Sequence, residues 1–159
     1  MFVENLQTKE KVEVRIARLE RGEYKGITEA RFWFDWKAER GFDVYKLCTR
    51  NTGDILGLMS LEVIPAESRI EIRLLAVSKE NRGSTKVYDH ITGNLIAFAG
   101  IQATKLFGDL ACISLVPKTE LIRHYMETYA MLQAGRSLFL DGRELLDLIA
   151  KYDHGQGEK

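Results

Sequence analysis

The spacing of apolar and polar residues changes character once between Arg69 and Ala103. From Arg69 to Val77 the side chains alternate, with Ile70, Ile72, Leu74 and Ala76 on one side and Glu71, Arg73, Leu75 and Val77 on the other. That is the period of a strand between two packed layers. From Val87 the apolar residues Val87, Ile91, Leu95, Phe98 and Ala99 recur at three and four, which predicts a helix of several turns. The junction Lys79-Glu80-Asn81-Arg82-Gly83-Ser84-Thr85-Lys86 is polar, with one glycine and two hydroxyl residues able to cap the helix. Unpaired N–H groups at such a helix start, beside Arg82 and Lys86, would suit a phosphorylated ligand.

The flanks follow the same logic. Val12–Leu19 alternates as a first strand, and Ile27–Arg40 carries Phe32, Trp33 and Trp36 at helical spacing before Gly41, predicting a helix with an apolar face. Phe42–Thr49 and Asp54–Ile64 flank Arg50-Asn51-Thr52-Gly53, the signature of a hairpin. Gly57 inside the second of these strands calls for a bulge or a close approach. Leu110–Val116 reads as a strand ended by Pro117, Lys118–Thr128 as a short helix burying Leu121, Ile122 and Tyr125, and Ser137–Leu140 as a last strand. Asp141–Tyr152 closes the pattern as a helix with Leu145, Leu148, Ile149 and Tyr152 on one face, Asp141 and Glu144 being spaced as a capping box. The succession predicts an α+β or mixed α/β fold, helices on a sheet, with residues 1–153 as one domain and 154–159 as a disordered tail.

Composition narrows the partners. Lys plus Arg and Asp plus Glu number 23 each, so no global basic field argues for nucleic acid. No run reaches membrane-spanning length, and Cys48 and Cys112, both in apolar stretches, read as buried free thiols of a reducing compartment. The three histidines show no metal-ligand spacing. A cytoplasmic location is the expectation.

Strand, then Ser78-Lys-Glu80-Asn-Arg82-Gly83, then a long helix resembles the acyl-coenzyme A binding segment of the GCN5-related N-acetyltransferase superfamily. Its motif of Arg or Gln, two residues, Gly, one residue, Gly or Ala falls on Arg82, Thr85 and Val87, or on Lys79, Arg82 and Ser84 in a frame moved back by three. A second segment, Leu121–Met131, resembles the Tyr-x-x-x-Gly-Phe ending of the family, with Ala130 and Met131 standing where Gly-Phe is usual. The resemblance spans roughly residues 42–140. It implies a central mixed, mostly antiparallel sheet flanked by helices, here with an extra C-terminal helix, and acetyl-CoA as cofactor. It further implies that Leu75, Ala76 and Val77 would offer a backbone N–H to the thioester carbonyl, that Arg82, Gly83, Ser84, Thr85, Lys86 and Val87 would hold the phosphates, and that Tyr125 would protonate the leaving thiolate.

Acetyl transfer needs a neutral amine, a polarised carbonyl and a stabilised leaving group. Glu62 and Glu71, both in strands, are the candidate bases, whereas His124 neighbours Tyr125 and belongs to another side of its helix. Three functions compete: an acetyltransferase acting on a small-molecule or protein amine, a non-catalytic module of the same fold with a degenerate acyl-CoA site, and an unrelated nucleotide binder. The last lacks any Walker or Gly-x-Gly-x-x-Gly run. Strands at a sheet edge would allow a homodimer.

Overall fold

The computed structural model describes residues 1–153; the expected tail lies outside them. Nine strands form one sheet in the order β6-β1-β2-β3-β4-β5-β7-β9-β8. β1 (Phe2–Asn5), β2 (Lys11–Arg18), β3 (Asp43–Thr49), β4 (Ile55–Ile64) and β5 (Arg69–Val77) run as an antiparallel meander. The chain then crosses through α2 (Ile91–Phe107) to β7 (Cys112–Leu115), which pairs with β5 in parallel. A hairpin of β8 (Leu132–Ala134) and β9 (Ser137–Asp141) closes that edge, and α4 (Gly142–Tyr152) packs on α2. The mixed, mostly antiparallel sheet, the flanking helices and the C-terminal helix are as expected. Among the described residues no helix is long and apolar enough to cross a membrane.

The sheet separates two clusters of buried side chains. The larger joins Ile70, Ile72, Leu95, Ile96 and Ile113 to the strand residues facing α2 and α4; the smaller holds Phe32, Trp36, Val44, Leu58 and Ala76 on the opposite side. β5 changes sides between them. Ser60 pairs with Leu74 and Leu61 with Ile72, so Arg73 is an extra, bulged residue, and one inserted residue inverts the facing of everything after it. Leu75 and Val77 therefore join Ile70 and Ile72 in the larger cluster, while Leu74 packs beside Ala76 in the smaller. The single alternating face expected along this strand is broken at Arg73.

Gly57 meets the expectation of close approach, since a Cβ there would lie 2.8 Å from Ile91 Cγ2 and 3.0 Å from Leu95 Cδ1. Other expectations are corrected. The helix predicted over Ile27–Arg40 is only α1 (Glu29–Phe32) and a separate 3₁₀ turn at Trp36–Glu39, because the chain breaks at Trp33. The long helix does not start at the Ser84–Lys86 cap: two 3₁₀ turns, Lys79–Asn81 and Gly83–Thr85, lead into β6 (Tyr88–Asp89), which pairs with β1, and α2 begins at Ile91. The Asp141 side chain makes no capping hydrogen bond, so the capping box is not formed.

Candidate active site

β5 and β7 stay paired only from Arg69–Cys112 to Ile72–Leu115. Past that point β7 has ended, and β5 continues beside β4 alone. The Arg73 bulge stands where the two strands part, as bulges do where a strand must bend away from its neighbour. From Arg73 to Val77 the backbone on the side away from β4 has no strand partner among the described residues, and it forms one wall of a cleft of about 590 Å³. Leu115, Val116, Pro117 and Lys118 form the facing wall; His124 and Tyr125 of α3 (Ile122–Tyr129) complete it. Among the described residues Arg73, Arg82 and Lys118 are the basic side chains of lysine or arginine on the cleft wall, and no carboxylate joins them there.

Each cation is held differently. Arg73 Nε donates to Glu39 Oε1 at 2.9 Å and Nη1 to Glu62 Oε1 at 3.3 Å, with its guanidinium 3.6 Å from the centre of the Phe42 ring. Glu39 is buried and also accepts from the Ser60 hydroxyl at 2.8 Å. Burial pushes its carboxyl up, but the Arg73 and Ser60 hydrogen bonds outweigh that and leave it below the ordinary range. Arg82 donates from Nε to the Val77 carbonyl and from Nη2 to the Arg31 carbonyl, both at 2.8 Å, and stacks 4.6 Å from the centre of the Trp33 ring. Burial pulls its pKa down, though a guanidinium remains charged. Arg31 in turn pairs with Glu80 at 2.6 Å, so α1 is fastened to the loop after β5.

Trp33 occupies a γ-turn, with φ 74° and ψ −64° and Phe34 N–H donating to the Phe32 carbonyl at 3.0 Å. This turn is rare and strained for a non-glycine residue. It is anchored on both sides by Phe32 and Trp36, which are buried and joined by a Trp36 Nε1–Phe32 carbonyl hydrogen bond of 3.1 Å. The result is a tryptophan 56% exposed on the cleft, with Phe34 beside it. The aromatics of this segment thus divide: Phe32 and Trp36 pin it to the sheet, Trp33 and Phe34 face the cavity.

No family model matches the sequence, and no curated protein matches it. Solved structures do resemble the fold. The spermidine/spermine N-acetyltransferase SpeG from Vibrio cholerae superposes with a TM-score of 0.61 at 13% identity, over 85% of this chain and 96% of that one. The ribosomal-protein-S18-alanine N-acetyltransferase from Escherichia coli gives 0.57 at 14% identity over 80% and 91%. N-acetylglutamate synthase from Neisseria gonorrhoeae, complexed with coenzyme A and N-acetyl-glutamate, gives 0.55 at 17% over 82% and 35%. The chain has the GCN5-related N-acetyltransferase fold.

On that N-acetyltransferase fold the predicted residues fall into two groups. Leu75, Ala76, Val77, Arg82 and Tyr125 line the cleft. Tyr125 is half-buried, its ring 5.7 Å from that of Tyr129, and burial pushes its phenol up, which keeps it a neutral donor at neutral pH. His124, expected on another side, is exposed yet stands on the same wall with its ring 5.9 Å from Tyr125. Glu62 and Glu71 do not line the cleft. They pair with one another across β4 and β5 before the bulge, Glu71 being opposite Ser114 where β7 is still attached; Arg69 and Arg73 neutralise them.

The loop expected to hold the phosphates also differs from its expected form. Gly83 has φ 71°, a backbone position favouring glycine, but Gly83, Ser84 and Thr85 form a 3₁₀ turn rather than a helix start. The Val87 carbonyl accepts from Leu6 N–H, and Lys86 pairs with Asp89 at 2.8 Å. Lys86 lines an adjoining cavity of about 360 Å³ with Asn81, His90, Thr92 and Lys151 beside the start of α2. Thr92 borders both cavities and was missed. No local signal marked it, since α2 starts at Ile91 after His90 with no side-chain cap. Glu39, also missed, had no local signal, its partners lying 21 and 34 residues away.

Proposed function

We propose that this chain is an N-acetyltransferase that takes its acetyl group from acetyl-CoA and passes it to an amino group of a small molecule or a protein. The observation that carries this reading is the parting of two parallel strands into a cleft that exposes unpaired β5 backbone beside Arg82 and Tyr125. The cleft suits a long anionic co-substrate: its charged walls are cationic, and Arg82 hydrogen-bonds two carbonyls rather than a carboxylate. The fold is shared with a protein whose structure contains coenzyme A.

The thioester supplies an activated acyl group. What this chain contributes is the N–H of the Leu75–Val77 backbone that points away from β4 to polarise a carbonyl, a guanidinium at Arg82 for phosphate oxygens, and the neutral Tyr125 hydroxyl to protonate a leaving thiolate. With no carboxylate among the described residues on the cleft wall, the amine reaches its neutral form by losing a proton to water.

Calorimetry with acetyl-CoA tests the reading. Wild type binds, and Arg82→Ala weakens binding roughly 10- to 100-fold, the loss of one or two charge-assisted hydrogen bonds. Absence of binding at millimolar acetyl-CoA would overturn it.

A further inference from the structure

Among the described residues Lys118 is the one lysine on the cleft wall. It lies three residues beyond the last residue of β7, directly after Pro117. Its Nζ stands 4.9 Å from the centre of the Trp33 ring, within the range of a cation–π contact. Unlike Lys46 and Lys86, which pair with Glu23 and Asp89, Lys118 forms no ion pair among the described residues. Trp33 is itself fixed by its γ-turn and by the Arg82 guanidinium on its ring. The fold therefore places an exposed primary alkylamine on the wall of the cavity that Tyr125 and the edge of Leu75–Val77 facing away from β4 also line.

Resting on the acyl-transfer reading, we propose that Lys118 is a self-acetylation site: the chain acetylates its own ε-amine in this cleft. The Lys118 ammonium first gives a proton to water, and its neutral nitrogen then forms a bond to the thioester carbonyl carbon as the carbon–sulfur bond breaks. Coenzyme A leaves as its thiol with the proton of the Tyr125 hydroxyl, and the proton lost by the amine restores that hydroxyl. The products are an amide at Lys118 and one free coenzyme A. Tethering gives the reaction its selectivity, because an amine already in the cavity reacts without the entropy cost of bringing a second molecule there. Acetylation removes a cation and so abolishes its attraction to Trp33, leaving Arg73 and Arg82 as the charged groups of the walls.

The test follows acetyl incorporation at each lysine by peptide mass spectrometry after incubating the full chain with acetyl-CoA, with coenzyme A binding measured in parallel by calorimetry. Lys118 is expected to react on the order of 100-fold faster than Lys9 and Lys105, which like it are exposed but do not line the cleft. Excess coenzyme A protects it. Lys118→Arg, which keeps a cation beside Trp33, should lose the fast phase, and Tyr125→Phe should slow it by roughly 100-fold. If coenzyme A binds but Lys118 reacts no faster than Lys105, or equally fast in urea-unfolded chain, self-acetylation is refuted while the transferase reading stands. If coenzyme A does not bind, both fall.

Discussion

Gly93 in the first turn of α2 offers a sharp test of how the C-terminal helix is seated. A Cβ added there would overlap Cζ and Cε1 of Tyr152 and lie 2.5 Å from its hydroxyl oxygen. Tyr152 is 7% exposed at the end of α4, so its ring cannot swing away without uncovering the α2–α4 contact. Gly93→Ala therefore sets two effects against each other. Alanine improves helix propensity by up to about 1 kcal/mol, and overpacking costs about 1–3 kcal/mol. The clash wins in the wild type, giving a net destabilisation of roughly 1–2 kcal/mol and a melting point lower by about 2–8 °C. In a Tyr152→Ala background the ring is gone and the sign reverses, Gly93→Ala now stabilising by up to about 1 kcal/mol. Urea denaturation of the four proteins of this double-mutant cycle measures the difference. Equal effects of Gly93→Ala in both backgrounds, or no effect in the wild type, would refute the packing argument.

Two further predictions concern the cleft and the carboxylate that holds Arg73. Tyr125→Phe keeps the ring and removes the hydroxyl; turnover on an identified amine should fall roughly 10²–10⁴-fold with little change in acetyl-CoA affinity, and unchanged turnover would assign the proton to water. Glu39, held below the ordinary carboxylate range despite its burial, adds stability that is complete above the unfolded value near 4.5 and is lost as pH falls through the lower folded value. Glu39→Gln should accordingly destabilise the chain by about 1–3 kcal/mol at neutral pH and flatten the acid limb of its stability profile, and denaturant melts with an unchanged acid limb would count against it.

Much of the framework could be read from local pattern. The β3–β4 hairpin, the crossover from β5 through α2 to β7, and α4 with Leu145, Leu148 and Tyr152 buried are where periodicity and turn residues placed them. Tyr125, Arg82 and Leu75–Val77 reach one cleft because strand ends and helix starts are themselves local signals. Failure came where distant contacts decide the backbone. The Phe32, Trp33 and Trp36 spacing is helical, yet burial of Phe32 and Trp36 against the sheet and the Arg82–Arg31 carbonyl bond accompany a turn at Trp33. Ser84 and Thr85 are good caps, but pairing of β6 with β1 delays the helix to Ile91. The Arg73 bulge has no signature in β5 itself, since its partners Glu39 and Glu62 come from other elements; alternation therefore put Leu74 and Ile72 on one face.

The union of β1 with β6 bears on the order in which the chain assembles. Glu4 pairs with Asp89 and Asn5 with Tyr88, and Asn94 Nδ2 donates to the Phe2 carbonyl across 92 positions of sequence. A chain emerging from synthesis has made β1 long before these partners exist, and until then β2 is its only neighbour in the sheet. Closing so long a loop carries a larger entropy cost than forming the β3–β4 hairpin, so the seam between β1 and β6 is set late. The two-residue β6 gives that seam few bonds. The amide of Leu6, which donates to the Val87 carbonyl across that seam, is therefore placed among the first to exchange with solvent and the last to become protected, and the start of α2 inherits its timing.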